Sequence, residues 1–200
     1  MLQPTYSISQ QIYVAITIRA QPMKEEKHGV VIWLTGLPGS GKTTIGRILA
    51  SKLAENGVKV ELFDGDEVRK QLSADLGFSK KDRELHAKRV VYVAKILSRN
   101  GINSIVTLIS PYRSLRAFAR EELGSFVEIY VKCSVDECIR RDPKGLYMKA
   151  LSGEIRDLTG IQDPYEEPEN PEIVVNTEFE KPEESANIIL SKLNAMGCFW

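Results

Sequence analysis

Two hundred residues are enough for one domain with a sizeable buried core. Lysine plus arginine equals aspartate plus glutamate at 27 each, so the chain is formally neutral. That excludes a general nucleic-acid or anionic-membrane binder, which carries a basic surplus, and no apolar run approaches a membrane span.

Residues 1–28 differ in character from the rest of the chain. They are polar, broken by Pro4 and Pro22, and hold one short strand-like run from Ile12 to Ile18. They read as an N-terminal extension: disordered, an upstream start preceding a natural one at Met23, or an arm that packs on a partner. The domain proper spans 29–197. No apolar segment follows a basic start, so no signal peptide is expected. Cys133, Cys138 and Cys198 form no CxxC pair and no zinc spacing, which fits idle thiols in a reducing cytoplasm.

The first core strand is the apolar run Val30–Thr35. Gly36-Leu37-Pro38-Gly39-Ser40-Gly41-Lys42-Thr43 comes next and opens into the helical pattern from Thr44, ending near Asn56-Gly57. Strand, glycine-rich turn, Lys-Thr and helix make a P-loop in its proper context. Such a loop turns successive N–H groups inward as an anion nest, and the helix adds its positive end. Lys42 reaches the β- and γ-phosphates and Thr43 ligates magnesium, so ATP with Mg2+ is the implied reagent.

The pattern continues with a strand at Val58–Phe63 and a short helix from Val68 to Leu76. A helix from Asp82 to Arg99 shows one apolar face. A strand at Ile102–Ile109 precedes a helix at Leu115–Leu123. A strand at Phe126–Val131 precedes a helix at Val135–Arg141. From Asp142 to Pro171 the chain is rich in Gly, Pro and charge, too long for a simple connection, and reads as a lid. Glu172–Val175 is the final strand and Pro182–Met196 the final helix. Apolar strands alternating with helices imply an α/β fold with a parallel central sheet covered on both faces. Ligands bind such sheets at the carboxyl ends of the strands.

Those ends carry chemistry. Asp64-Gly65-Asp66 follows strand two, supplying a carboxylate for magnesium and another to orient an acceptor hydroxyl, with Arg69 next. Ser110-Pro111-Tyr112-Arg113 follows strand three. Arg140-Arg141-Asp142-Pro143-Lys144 follows the next strand and helix; arginines there stabilise a transferred phosphoryl group or simply end a helix.

Taken together these motifs resemble the adenylylsulfate kinase family of P-loop kinases over nearly all of residues 29–195. The resemblance rests on Trp33-Leu34-Thr35 leading into the P-loop and Thr44, Asp64-Gly65-Asp66 with Val68-Arg69, and Gly77-Phe78-Ser79. It rests further on Asp82-Arg83, Ile109-Ser110-Pro111-Tyr112-Arg113 and Arg141-Asp142-Pro143-Lys144-Gly145-Leu146-Tyr147. Thr159-Gly160-Ile161, Asp163-Pro164-Tyr165-Glu166 and Glu169-Asn170-Pro171 complete the set.

The resemblance implies phosphorylation of adenosine 5′-phosphosulfate (APS) at its 3′-hydroxyl by ATP. By this analogy Asp66 orients or deprotonates the hydroxyl and Asp64 lies on magnesium and its waters. Arg69 and Arg83 hold the phosphosulfate, Phe78 stacks on the acceptor adenine, and Lys144 closes with the lid. Backbone at Ile109 and Ser110 touches APS; Ser110 is read as a contact rather than a covalent intermediate. Arg141 and the Asn176-Thr177 turn lie near the adenine of ATP. The family also implies a homodimer and a functional link to an ATP sulfurylase.

Two positions depart from the family pattern. His86 stands where an Asn contacts APS; it keeps one donor with a pH dependence, or merely begins a helix. Leu158 stands where a Phe precedes Thr-Gly-Ile, turning one face of an aromatic clamp aliphatic. Both lie on the acceptor side. The competing readings are a P-loop kinase for another hydroxyl acceptor and a nucleotide-dependent switch; Asp66 argues against the switch, which needs no acceptor-side base.

Overall fold

The computed structural model describes residues 28–199. The run Ile12–Ile18, Met23 and Trp200 lie outside the described residues. Five strands, β1 (Val31–Thr35), β2 (Val60–Asp64), β3 (Asn103–Thr107), β4 (Phe126–Lys132) and β5 (Ile173–Asn176), form one sheet in the order β2-β3-β1-β4-β5. Every pairing is parallel. The helices are α1 (Lys42–Glu55), α2 (Gly65–Leu72), α3 (Lys80–Arg99), α4 (Arg113–Leu123), α5 (Val135–Arg141), α6 (Leu146–Leu151) and α7 (Pro182–Ala195).

The two-residue period of β1 sorts the core into two layers. Ile32 and Leu34 pack with Ile45 and Leu49 of α1 and Ile189 and Leu193 of α7. Val31 and Trp33 face the other way, onto Val90, Val91 and Ala94 of α3 and Ala119 and Leu123 of α4. The sheet is therefore buried on both faces, as its apolar strands require. Gly46 sets how closely α1 lies on it: a β-carbon there would stand 2.6 Å from Thr107 Cγ2.

Several boundaries move for local reasons. Strand β2 begins at Val60 rather than Val58. Helix α2 starts at the strand end itself, because the Asp64 carboxylate accepts from the N–H groups of Asp66 and Glu67 and caps it. Ser79 likewise caps α3 through the Asp82 N–H and starts it two residues early.

The lid region is more ordered than a plain loop. It contains α6, and a third cluster packs Tyr147, Ala150 and Leu158 against Leu37, Cys133 and Cys138 beside the P-loop. Its return leg is stitched to the β3–α4 connection: Glu166 N–H donates to Pro111 O, Arg113 N–H donates to Glu166, and Tyr112 OH donates to Asp163 Oδ1 at 2.7 Å. No helix among the described residues is long and apolar enough to cross a membrane.

Candidate active site

The carboxyl ends of β1, β2 and β3 open into a cleft of about 1090 Å³, roofed by the lid. On its floor Gly41 sits in the left-handed region (φ 94°) and begins α1 with no side-chain cap. The first N–H groups of α1 are thus left for an anion, with the helix dipole behind them.

Lys42 is 7% exposed and folded into this loop, donating to Gly36 O at 2.9 Å and Leu37 O at 2.7 Å. Burial pulls its pKa down to about 8. A polyphosphate would restore the charge, so binding takes up protons where the free protein has lost them, and affinity falls as pH rises through 8. We expect ATP binding at pH 8.5 to take up roughly half a proton or more, and little at pH 7. Calorimetry in two buffers of different ionisation enthalpy reads this directly. Identical heats at pH 8.5 would show that Lys42 stays charged in the free protein.

Asp64 and Asp66 separate into two roles. Asp64 is buried, its Oδ1 spent on the α2 cap, and its Oδ2 lies 3.4 Å from Arg47 Nη2. Asp66 stands out into the cleft and pairs with Lys144 of the lid. Thr43 and Asp64 both line the cleft with oxygen donors. This sparse hard-oxygen set fits Mg2+, which keeps most of its waters and shares the nucleotide phosphates; no cluster of three or more His, Cys, Asp or Glu suited to a metal exists among the described residues.

The acceptor-side residues converge. The Arg69 guanidinium lies 4.4 Å from the centre of the Phe78 ring, and Arg83 lies 5.8 Å from it. Burial, then the adjacent Arg83, hold Arg69 below its ordinary pKa. Two cations over one ring are ready for an anion. Phe78 remains 58% exposed. Arg83 also donates to Phe78 O at 2.9 Å and to Asp157 O of the lid at 2.6 Å.

His86 lies in the second turn of α3 and lines the cleft. Burial, then Arg69 and Arg89, push its pKa down to about 4. The pH dependence anticipated for it is therefore absent between pH 5 and 8, where the ring stays neutral.

Ser110 is buried with a positive φ of 45°. Its Oγ accepts from Trp33 Nε1 at 3.0 Å, and its carbonyl accepts from Arg116 at 2.6 Å. Ile109 O accepts from the Thr35 hydroxyl at 2.7 Å.

At the other end Arg141 donates to Thr177 Oγ1 at 3.2 Å, and Thr177 donates in turn to Ser40 O of the P-loop at 3.0 Å. Both Arg141 and Thr177 line the cleft. Asn176 does not; its side chain accepts from Glu178 N–H and shapes the turn. Leu158 is not at the cleft either. It is 7% exposed inside the lid cluster with Leu37, so it steadies the lid and offers no face to the acceptor here. Gly36, Leu37 and Ser40 build the loop from behind; Pro38, Gly39, Gly41, Thr43 and Thr44 face the cleft.

Sequence reasoning passes over four contributors. Arg47 reaches Asp64 from α1. Tyr147, 1% exposed, donates to Pro38 O at 2.9 Å and ties α6 to the P-loop. Tyr165 meets the Thr35 hydroxyl at 2.9 Å. Arg116 spans Ser110 O, Glu166 O and Glu128. Arg47 carries a positional signal, one helical turn beyond the P-loop on the Thr43 side, and Tyr147 and Tyr165 stand inside motifs of the resemblance without a role read for them.

A parallel sheet with this P-loop, two acidic residues at the end of β2 and a lid over one cleft define a P-loop kinase. Comparison with known proteins narrows the class. Residues 28–176 match the family described as Adenylylsulphate kinase. A probable adenylyl-sulfate kinase of Pyrococcus abyssi (strain GE5 / Orsay) is 53% identical over 169 residues, covering 84% of this chain and 97% of that protein. A probable bifunctional SAT/APS kinase 2 of Sorangium cellulosum (strain So ce56) is 48% identical over 84% of this chain, which covers 29% of that protein. Among solved structures, the Mycobacterium tuberculosis APS kinase CysC in complex with AMPPNP and APS superposes with a TM-score of 0.81 at 38% identity, over 84% of this chain and 98% of that one. The chain belongs to the adenylylsulfate kinase family.

Proposed function

We propose that this chain transfers the γ-phosphate of ATP to the 3′-hydroxyl of adenosine 5′-phosphosulfate, giving 3′-phosphoadenosine 5′-phosphosulfate (PAPS) and ADP. One observation carries the reading: the P-loop lysine, Asp66 with its lid partner Lys144 and the Arg69–Phe78–Arg83 group all line a single cleft. Donor phosphates and an anionic, aromatic acceptor thus have opposed places in one enclosure.

The P-loop N–H groups and Lys42 take the ATP phosphates, while Arg141 and Thr177 border its base. Arg69 and Arg83 take the phosphosulfate, and Phe78 takes the acceptor adenine. Asp66 accepts the proton of the 3′-hydroxyl as that oxygen attacks the γ-phosphorus in line with the departing ADP. Before that, Asp66 must give up Lys144, which passes to the substrate; exchange of this one ion pair couples lid position to acceptor occupancy. Thr43 and Asp64 would hold Mg2+, which supplies charge neutralisation on the phosphates. Ser110, with its Oγ accepting from Trp33 and almost no exposure, serves as an acceptor-side wall, not a nucleophile. The lid excludes water, which would otherwise compete as acceptor.

The test is ADP release with Mg2+ and ATP, with and without micromolar APS and other hydroxyl acceptors, and with the product identified by mass. We expect APS-dependent turnover giving PAPS. ATP binding without APS-dependent ADP would move the search to other acceptors, and ADP formation indifferent to acceptor would favour a switch. We further propose a homodimer, a cytoplasmic setting in sulfate activation, and a functional link to an ATP sulfurylase, the last supported by the bifunctional relative. Light scattering on the purified chain tests the dimer.

A further inference from the structure

His86 in the cleft wall forms a buried pair with Ser73 behind it, and the proposed reaction leaves that hydrogen bond unexplained. Ser73 caps the end of α2, is fully buried, and places its Oγ 2.9 Å from Nδ1 of His86 on α3. His86 is 5% exposed and lines the cleft, yet its Nε2 finds no hydrogen-bond partner among the described residues.

Ser73 Oγ has His86 as its one side-chain partner among the described residues, and the proton of that bond can sit on either side. Nδ1–H donating to Ser73 leaves the serine hydrogen and the Nε2 lone pair unmet. Ser73 donating to Nδ1 leaves the Nε2–H and the serine lone pairs unmet. The second arrangement puts the unmet donor on the residue that lines the cleft, where a ligand can answer it. An orphaned buried donor is uncommon and calls for a partner that arrives later. The surroundings select its nature. Arg69 from α2 and Arg89 from α3 press positive charge on the ring, with Arg89 itself neutralised by Asp75 at 2.5 Å. A neutral donor in a positive setting suits an oxygen of an anion.

We propose that Ser73 is a positioning residue for the acceptor: its hydroxyl fixes His86 with Nε2 protonated, as a neutral donor to an acceptor oxygen held by Arg69 and Arg83. The arginines supply charge, and the imidazole supplies direction, which separates acceptors whose oxygens are placed differently. The proposal rests on the assignment of this side of the cleft to APS.

The chain has two histidines, His28 and His86, so histidine-selective nitrogen-15 NMR of the full chain is simple to assign. Without ligand, His86 is expected to show an unprotonated Nδ1 and a protonated Nε2. Adding APS should shift the Nε2 signal while exposed His28 stays put. In Ser73→Ala the tautomers should mix. The APS KM should rise about three- to tenfold, the worth of one hydrogen bond, with kcat and the ATP KM moving less than about twofold. Ser73→Ala added to His86→Ala should cost nothing further. A protonated Nδ1 in the free protein, or an unchanged APS KM in Ser73→Ala, would overturn the proposal. If the wild type shows the expected tautomer but neither binds nor turns over APS, the assignment of acceptor fails instead, and with it the partner named for Nε2.

Discussion

Replacing Asp66 by Asn is expected to lower kcat by about 10²- to 10⁴-fold while leaving ATP affinity within about twofold. Asparagine keeps the shape and can still hold a hydroxyl, but it cannot take the proton. The nucleotide side should notice little, because among the described residues the Asp66 carboxylate is bonded to Lys144 alone and acts on Lys42 only through space. That partner offers an alternative account, in which Asp66 matters only as the lid's counter-charge. Lys144→Met separates the two. It breaks the same pair from the other end and removes a substrate contact, so it should raise the APS KM and spare most of the chemical step. Both side chains are more than half exposed, so neither change should disturb folding. Steady-state kinetics of the two variants decide. Equal losses in kcat would make the ion pair, rather than the base, the working part, and a loss under about tenfold in Asp66→Asn would remove Asp66 from catalysis.

The parts of this molecule written in short range are legible in its sequence. The P-loop and α5 at Val135–Arg141 depend on contiguous residues, and each stands where expected; Asp64-Gly65-Asp66 also stands at the end of β2, as a capped helix start. The sheet follows from runs such as Val31–Leu34, which have no polar face to expose. What the sequence does not announce depends on groups far apart in the chain. Helix α6 has six residues and starts from a left-handed Gly145, and it is held through Tyr147 to Pro38, 109 residues away. Nothing local signals it. The family analogy puts Leu158 in the acceptor site, yet an aliphatic side chain beside Leu37 and Tyr147 is better buried than stacked at a wet cleft. His86 reads in sequence as a pH-sensitive contact; its burial first, and then Arg69 and Arg89, 17 and 3 positions away, push its pKa down and remove that sensitivity.

Arg116 is the second position where a large effect is expected, and there the readout is stability. It is 3% exposed and faces Glu128, 7% exposed, at 2.7 Å on the α3/α4 side of the sheet, opposite Trp33 in the strand register. The same guanidinium donates to Ser110 O and Glu166 O, both at 2.6 Å. Arg116→Ala would strand a buried carboxylate with only Arg120 at 3.4 Å to answer it, and would orphan two carbonyls. The expected loss is about 3–5 kcal/mol. Most of that is the cost of an unpaired charge, not the worth of the pair. Removing both charges, as in Arg116→Met with Glu128→Gln, should therefore recover a large part of the stability. It should not recover function. Without the guanidinium the return leg of the lid is no longer tied to the strained Ser110, so the APS KM stays high while the ATP KM does not. Urea unfolding and the two KM values for each variant test both halves. A loss below about 1 kcal/mol in Arg116→Ala would show that Glu128 finds water or Arg120 unaided. A double variant with wild-type APS kinetics would mean that the lid leg and Ser110 hold their places through Tyr112, Tyr165 and the Glu166–Pro111 bond alone.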